Sequence, residues 1–456
     1  MKIVILNGSP KGENSNTMQY MKYILKHRPG YEYKIFDVGR DIKKIEKDQD
    51  RLADIIGEMR SADGIVWAFP LYHLSVPSQL MRLIELISPD GASGAFQDKY
   101  AAALTTSIHF YDDLAHNYIR AVSEDLGLRY VDGFSAEMED LRNPLWRKRL
   151  LAYFDHFVDS IEQQAPAERK YAPVHGSINE YAPLGLNAPV SIGSRRIVLI
   201  TDTADGDVNL SRMVDVFRRS IGGQVDVIDL NQVDMAGGCL GCMRCADDNV
   251  CVYKDGLRNV FYENMTSADA IVFAGSIHGR YLSSRWKMFF DRGFVNGHCP
   301  IMSGGQYGYI ISGPLRQLPD LRRELEARAQ LSDNHLAGFV TDEYDDPAEV
   351  TALIQRLASE ISMGIEKNYQ LPHTFLNVGG NLLFRDFIYR MGWFFRADAR
   401  YYKKHGLFDY PQKKYKVRAQ GSVMKVLMSS RRFRKMIYSG SVQHNAREYQ
   451  QMVDAD

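Results

Sequence analysis

The chain has 456 residues, too many for one ordinary hydrophobic core, so its length calls for two domains plus appendages. Hydrophobic residues at 45% and charged residues at 25% describe a soluble globular protein. No uninterrupted apolar run is long enough to span a bilayer, no signal-peptide pattern precedes the first strand, and the cysteine usage fits a reducing compartment, so the expected location is the cytoplasm.

A short buried strand is predicted at residues 2–6, then a polar loop from Asn7 to Thr17 and an amphipathic helix over 15–25. Further strands are expected at 33–38, 64–69, 100–106 and 128–133, with helical patterns near 49–60, 77–87, 112–126 and 146–163. Alternating strands and helices with short connections imply a doubly wound parallel sheet, whose ligands gather beyond the carboxyl ends of the strands. In the first loop, Gly8, Ser9, Pro10 and Lys11, then Ser15, Asn16 and Thr17, stand between a strand and a helix amino terminus. Backbone N–H groups at such a place face an anion, and the helix dipole favours it. The loop has neither a Walker ending nor a G-x-G-x-x-G pattern. Its bland alternative is a polar connection that binds nothing.

Residues 165–195, with Pro166, Pro173, Pro183 and Pro189, read as an extended linker. A second strand series follows at 196–200, 225–230, 270–276, 307–313 and 336–343. Residues 61–70 align without gaps on 267–276, both beginning Ser-Ala-Asp, which points to a tandem duplication. The expected domains are therefore 1–164, 196–370 and a C-terminal extension, 371–456.

Four of the five cysteines, Cys239, Cys242, Cys245 and Cys251, fall in a C-x2-C-x2-C-x5-C run. Four thiolates so close suit a four-iron, four-sulfur cluster, although the last gap is longer than in the bacterial ferredoxin run and Val252 stands where proline would follow. A zinc ion, or a redox-active or reduced thiol set, remains the alternative, and Cys299 reads as a lone thiol.

The equal totals of 56 basic and 56 acidic residues hide an asymmetry. From Leu371 to Asp456 there are 16 Lys/Arg against 6 Asp/Glu, a net +10, so the preceding residues carry −10. Residues 384–396 mix aromatics with arginine. The helical spacing is read first as packing on the body, with membrane-surface binding and docking of an acidic electron carrier as the alternatives. Nucleic acid is not expected, because no recognised module accompanies the charge.

Gly8-Ser9-Pro10-Lys11 with Ser15-Asn16-Thr17 resembles the phosphate loop of the NADPH-dependent FMN reductase family, a branch of the flavodoxin-like proteins. Residues 70–77 resemble its third-strand loop, and the cysteine run resembles that of the iron-sulfur flavoproteins of the same family. The resemblance covers roughly 1–160 and 195–370. It implies an α/β protein with two flavodoxin-like, five-stranded, doubly wound sheets in tandem, followed by a basic, aromatic-rich helical extension. It further implies FMN held by Ser9, Lys11, Ser15, Asn16, Thr17, Pro70, Leu71, Tyr72, His73 and Ser107, with Tyr72 and His73 flanking the ring and 106–111 forming the opposite wall.

The two copies depart from the family differently. The first has no cysteines, and Met81 and Glu85 stand where the second keeps Lys287, Asp291 and Arg292. In the second, Asp202, Asp205 and Asp207 crowd the loop that would take a phosphate, and each repulsion costs on the order of 1 kcal/mol. One FMN per chain, in the first copy, is the expectation. His278 and Arg280 fall in the second copy's equivalent loop, where a relict pocket, a substrate entrance and a plain interface are all open.

The function implied is a flavin-dependent oxidoreductase that moves electrons between FMN in the first copy and a cluster in the second, with NAD(P)H as a candidate donor. The alternatives are an NAD(P)H-dependent FMN or quinone reductase without a cluster, an electron carrier with no small substrate, and a binding protein with a degenerate fold. Expected partners are a small-molecule or protein donor and acceptor, ferredoxin or quinone among them, and a homo-oligomer is also open.

Overall fold

The computed structural model describes residues 1–87, 96–176, 179–296, 299–434 and 436–437. The end of the expected extension lies outside the described residues.

The first sheet has the five strands β1 (Lys2–Asn7), β2 (Glu32–Phe36), β3 (Gly64–Pro70), β4 (Tyr100–Ser107) and β5 (Arg129–Glu137). Their order is β2-β1-β3-β4-β5, all parallel, which is the flavodoxin-like arrangement. Strict alternation on β1 explains how it is buried on both faces. Ile3 and Ile5 join one core with Met18, Met21 and Ile24 of helix Asn16–His27 and with Phe154 and Phe157. Val4 and Leu6 point to the other side. The second strand ends at Phe36, short of expectation, because helix Val38–Ile45 begins immediately after Asp37.

The second sheet is built from β6 (Val190–Thr201), β7 (Ile221–Asp229), β8 (Ala270–His278), β9 (Tyr281–Leu282), β10 (Gln306–Ser312) and β11 (His335–Thr341). Its order, β11-β10-β8-β6-β7, repeats that of the first sheet. Two expectations need correction. The sheet has six strands, because the chain turns at Gly279 and pairs Tyr281–Leu282 antiparallel to β8. The linker is also shorter than expected, because β6 starts at Val190 and bulges between Ser191 and Arg196, with Gly193 at φ +58°.

The halves share a core. Ile197 and Leu199 of β6 pack with Leu210, Met213 and Phe217 on the outer side. Val198 and Ile200 belong to the same cluster as Val4 and Leu6 of the first sheet. Both sheets lie in one compact unit, Met1–Asp398, and Ala399–Asp456 forms another.

Helices Ser78–Ile87 and Ser284–Arg292 carry the join, and they use one device twice. Asp291 accepts a hydrogen bond from the Ser78 N–H at 2.7 Å, while Glu85 accepts from the N–H and hydroxyl of Ser284. Each carboxylate thus sits on the amino terminus of the opposite helix, where it meets unsatisfied N–H groups and a favourable dipole. Seven residues separate donor and acceptor in both helices, so the contact has approximate two-fold character.

Candidate functional site

The carboxyl ends of β1, β3 and β4 open on a cavity of about 330 Å³. One wall is the loop after β1. Ser15 caps helix Asn16–His27, its hydroxyl accepting from the Met18 N–H at 3.1 Å. The N–H groups of Asn16 and Thr17 have no acceptor among the described residues, as is usual in a first helical turn. Ser9 is fully buried, its N–H donating to Asn7 and its hydroxyl accepting from the Lys11 N–H. Helix Val38–Ile45 holds the loop from behind. A Cβ on Gly39 would come within 2.3 Å of the Gly8 carbonyl oxygen, so only glycine allows that approach.

The facing wall is the loop after β3. Tyr72 and Ser75 pair through both backbone groups, at 2.9 and 3.1 Å, which closes a tight turn over His73 and Leu74. These have φ of 45° and 78°, left-handed values that cost non-glycine residues energy and that a surrounding structure has to enforce. The second half does so. Lys287 donates to the Tyr72 carbonyl at 2.8 Å, and Arg328 donates to the His73 carbonyl at 2.9 Å and meets its Nδ1 at 2.7 Å. Lys287 is itself ion-paired to Asp291, with both side chains wholly buried. Burial lowers the lysine pKa and raises the aspartate pKa, and their mutual attraction opposes both shifts.

Nine of the ten residues expected at the flavin line this cavity: Ser9, Lys11, Ser15, Asn16, Pro70, Leu71, Tyr72, His73 and Ser107. Thr17 does not. Its hydroxyl is turned inward to the Thr106 hydroxyl at 2.7 Å and ties the helix to β4. Of the expected opposite wall, Thr106, Ile108 and Phe110 line the cavity, while His109 pairs with Asp112 at 2.8 Å. That hydrogen bond raises the His109 pKa above its usual value.

From the first half the cavity runs on into a chamber that the sequence reading did not anticipate. Phe261, Phe273, Phe289, Phe290, Tyr307 and Tyr309 of the second half line it, as do Phe384, Phe387 and Phe395. Arg328 lies over the Phe290 ring at 3.9 Å and is paired to Glu324 at 2.5 Å. It therefore links the chamber to the His73 turn. Alternation of Tyr307 and Tyr309 on β10 and the adjacent Phe289 and Phe290 on a helix read equally as core, so no pattern in the sequence separates a chamber wall from ordinary packing.

The cysteine loop also reaches the first half. Gly241, at φ +59°, lies so close to Tyr72 that a Cβ there would stand 1.9 Å from the phenol oxygen. Burial pushes the Tyr72 phenol well above its usual pKa, and Cys239, Asp291 and Cys242 add to the shift. Cys239 accepts from the Gly241 N–H at 3.4 Å. Burial pushes its thiol up to about 12 and that of Cys245 up to about 11. The four cysteines are neighbours, yet among the described residues no three Cys, His, Asp or Glu side chains converge as metal ligands do. Cys242 is exposed, and the other three of the run are half-buried.

The second half's own loop makes different contacts. Asp202 is buried and accepts from the Trp286 indole at 2.7 Å and from the Ser283 hydroxyl. Burial raises its pKa. No residue of 201–210 lines the cavity. Of the two loop residues left open, His278 is exposed, while Arg280 is buried against Asp125 through two bonds of 2.6 and 2.7 Å. Arg280 thus serves the join between halves.

Residues 1–133 match the family model described as NADPH-dependent FMN reductase. The FMN-dependent NADH:quinone oxidoreductase of Vibrio vulnificus is 27% identical over 115 residues, covering 22% of this chain and 59% of that one. The FMN-dependent NADH:quinone oxidoreductase 1 of Bacillus licheniformis is 27% identical over 124 residues, covering 22% and 60%. The chain thus spans about three fifths of the length of these curated relatives. Among solved structures, an apo NADH:FMN oxidoreductase (EMOB) is 24% identical with a TM-score of 0.31, covering 35% of this chain and 89% of that chain. An FMN-dependent NADH-azoreductase from Bacillus anthracis in complex with FMN is 18% identical with a TM-score of 0.29, covering 36% and 99%.

Proposed function

We propose that this chain is an FMN-dependent oxidoreductase that takes electrons from NAD(P)H and passes them to a small acceptor of the quinone class named for its curated relatives. The observation that carries the reading is the cavity running from the open helix terminus at Asn16 to the 70–74 turn and on into the aromatic chamber. The residues fit a flavin phosphate. Asn16 and Thr17 offer free N–H groups, Lys11 offers positive charge, and the Ser9 and Ser15 hydroxyls stand beside them. When bound, FMN supplies a carrier that accepts an electron pair and releases it singly or together.

The chain's own residues do the rest. The strained turn at His73 and Leu74, clamped by Lys287 and Arg328, gives the ring a rigid edge. The aromatic walls exclude water and receive a flat acceptor. In this reading each half has its own task. The first holds the flavin, and the second, whose own loop lines no part of the cavity, encloses the acceptor. The matching sheet orders and the repeated carboxylate contacts support an origin by tandem duplication. The cysteine loop enters as packing over Tyr72, and iron-sulfur electron transfer is left out because the ligand geometry does not support it.

Flavin release and quantitation test the reading. About one equivalent of FMN per chain is expected, lost when Lys11→Glu and Asn16→Asp are combined, because carboxylates there repel a phosphate. Two equivalents, or full retention in that variant, would place the flavin elsewhere.

A further inference from the structure

The aromatic chamber carries polar groups as well as rings, and two of its donors have nothing to bond. Asn296 ends the short helix Gly293–Asn296, lines the cavity and is 9% exposed. Its Nδ2 is buried and has no hydrogen-bond acceptor among the described residues. Arg328 also lines the cavity and is 7% exposed. It commits its two terminal nitrogens to His73 and Glu324, yet its Nε is buried and likewise without an acceptor. A native fold seldom leaves a buried N–H unpaired, and such a group in a cavity wall points to an oxygen brought by a ligand. The two donors share a neighbourhood. Arg328 meets the His73 ring at 2.7 Å, and Phe294, on the same short helix as Asn296, lies edge-on to that ring with centroids 6.2 Å apart.

An amide Nδ2 and a guanidinium only donate, so the ligand that meets them carries acceptor oxygens. The charge balance narrows its class. Among the described residues no Asp or Glu lines the cavity, so an organic cation would be buried there without a counter-ion. The face of the Phe290 ring, which could otherwise receive a cation, is already taken by Arg328 at 3.9 Å. A full anion fits no better at this end. Buried Glu324, paired to Arg328 at 2.5 Å, already balances the guanidinium, and Lys11, the other basic residue of the lining, belongs to the loop after β1. A neutral, flat molecule with carbonyl oxygens meets all of these conditions. Its rings pack on the aromatic walls, and its oxygens take the unpaired N–H groups.

We propose that Asn296 and Arg328 determine which molecule the chamber accepts, each donating to a carbonyl oxygen of a neutral aromatic dione, through Nδ2 and Nε respectively. The preference for a neutral carbonyl ligand stands on the lining itself. That this ligand is the electron acceptor rests on the oxidoreductase reading. Both residues belong to the second half, so the half that holds no flavin would set the specificity. Arg328 then has two tasks, holding the His73 turn with its terminal nitrogens and meeting the ligand with Nε.

Equilibrium binding to the purified full chain, before any NAD(P)H is added, would compare four ligands with the same two fused rings. They are 2,3-dimethyl-1,4-naphthoquinone, whose blocked ring positions do not add thiols, 2-naphthoate, 2-naphthylmethylammonium and 2,3-dimethylnaphthalene. The quinone should bind about tenfold tighter than each of the others. Asn296→Leu keeps the bulk of the side chain and removes the donor. It should weaken the quinone about tenfold and leave dimethylnaphthalene unchanged. Arg328→Lys keeps a positive charge beside Glu324 but has no Nε in that place, and it should weaken the quinone in the same way. Naphthoate or the ammonium binding as tightly as the quinone overturns the proposal, and so does a folded Asn296→Leu chain with unchanged quinone affinity. Should that variant lose its circular dichroism signal, the order of the four ligands on the parent chain decides by itself. A chain that follows this order but retains no flavin would defeat the oxidoreductase reading and leave the carbonyl site intact. A chain that retains flavin and oxidises NAD(P)H without preferring the quinone would do the reverse.

Discussion

The loops after β1 and β6 occupy the same place in two sheets of the same strand order, and they have opposite fates. In the first half, Ser15 caps the helix, and Ser15 and Asn16 line a cavity. In the second, Asp202 turns its carboxylate to Trp286 and Ser283 of the join helix, and no residue of 201–210 lines the cavity. A fold fixes where a ligand can sit. The loop residues decide whether that place faces a cavity. The asymmetry runs the other way at the join, where the second half supplies the fully buried Lys287 and Asp291 while the first has Met81 and Glu85.

That second asymmetry makes the largest prediction. Asp291→Ala leaves Lys287 buried without its partner and strips an acceptor from Ser78, so stability should fall by about 3–5 kcal/mol. The counterpart Glu85→Gln keeps an acceptor for Ser284 and should cost less than half as much. Urea midpoints at equal m-values compare the two, and equal losses would mean that the halves share their join evenly.

Next in size is Gly241→Ala, which puts a methyl group where the Tyr72 phenol stands and asks for a left-handed alanine. A loss of about 2 kcal/mol is expected, with the cysteine loop displaced from the first half. Proteolysis near Cys242 should quicken in the variant; an unchanged cleavage rate would show that the loop is not held by this contact.

The two loops can then be set against each other by caps. Ser15→Ala should cost about 1 kcal/mol and weaken flavin retention, because it removes the helix cap and a donor together. Ser283→Ala also removes a cap, from Trp286, but should leave flavin content unchanged. A common effect on flavin would erase the distinction between the loops.

The smallest effects are in pH. Burial raises the Asp202 pKa, so the native state holds that proton more tightly than the unfolded chain. Its contribution is therefore present at low pH and is lost as pH rises through the raised native value. Asp202→Asn should flatten this part of the stability–pH curve, and a parent curve without the slope would speak against a buried carboxylate there. His109 has the same sign for a different reason. Its pKa is raised by Asp112, so its contribution is complete below the ordinary histidine value of about 6.5 and fades as pH climbs through the raised one. Asp112→Asn should bring the His109 titration seen by NMR back down; a midpoint that stays put would assign the shift to something else.

Much of this protein was legible along the chain. The short apolar run at residues 3–6, the loop rich in donors and the repeated Ser-Ala-Asp start specify local geometry, and local geometry suffices to place a helix amino terminus beyond a strand. Asp202 could be marked as hostile to a phosphate on charge alone. Four features needed the tertiary structure, because each depends on which distant surfaces meet. Cysteine spacing cannot say whether thiols converge, and burial sends Cys239 and Cys245 towards protonation. The Thr17 hydroxyl looked like a ligand donor until β4 brought Thr106 beside it. Phe289 and Phe290, neighbours on one helix, fit a packed core and a chamber wall alike, and only the tertiary fold leaves the space in front of them. Arg328, 255 residues from His73, can hold that strained turn only because one shared core presses the two halves together.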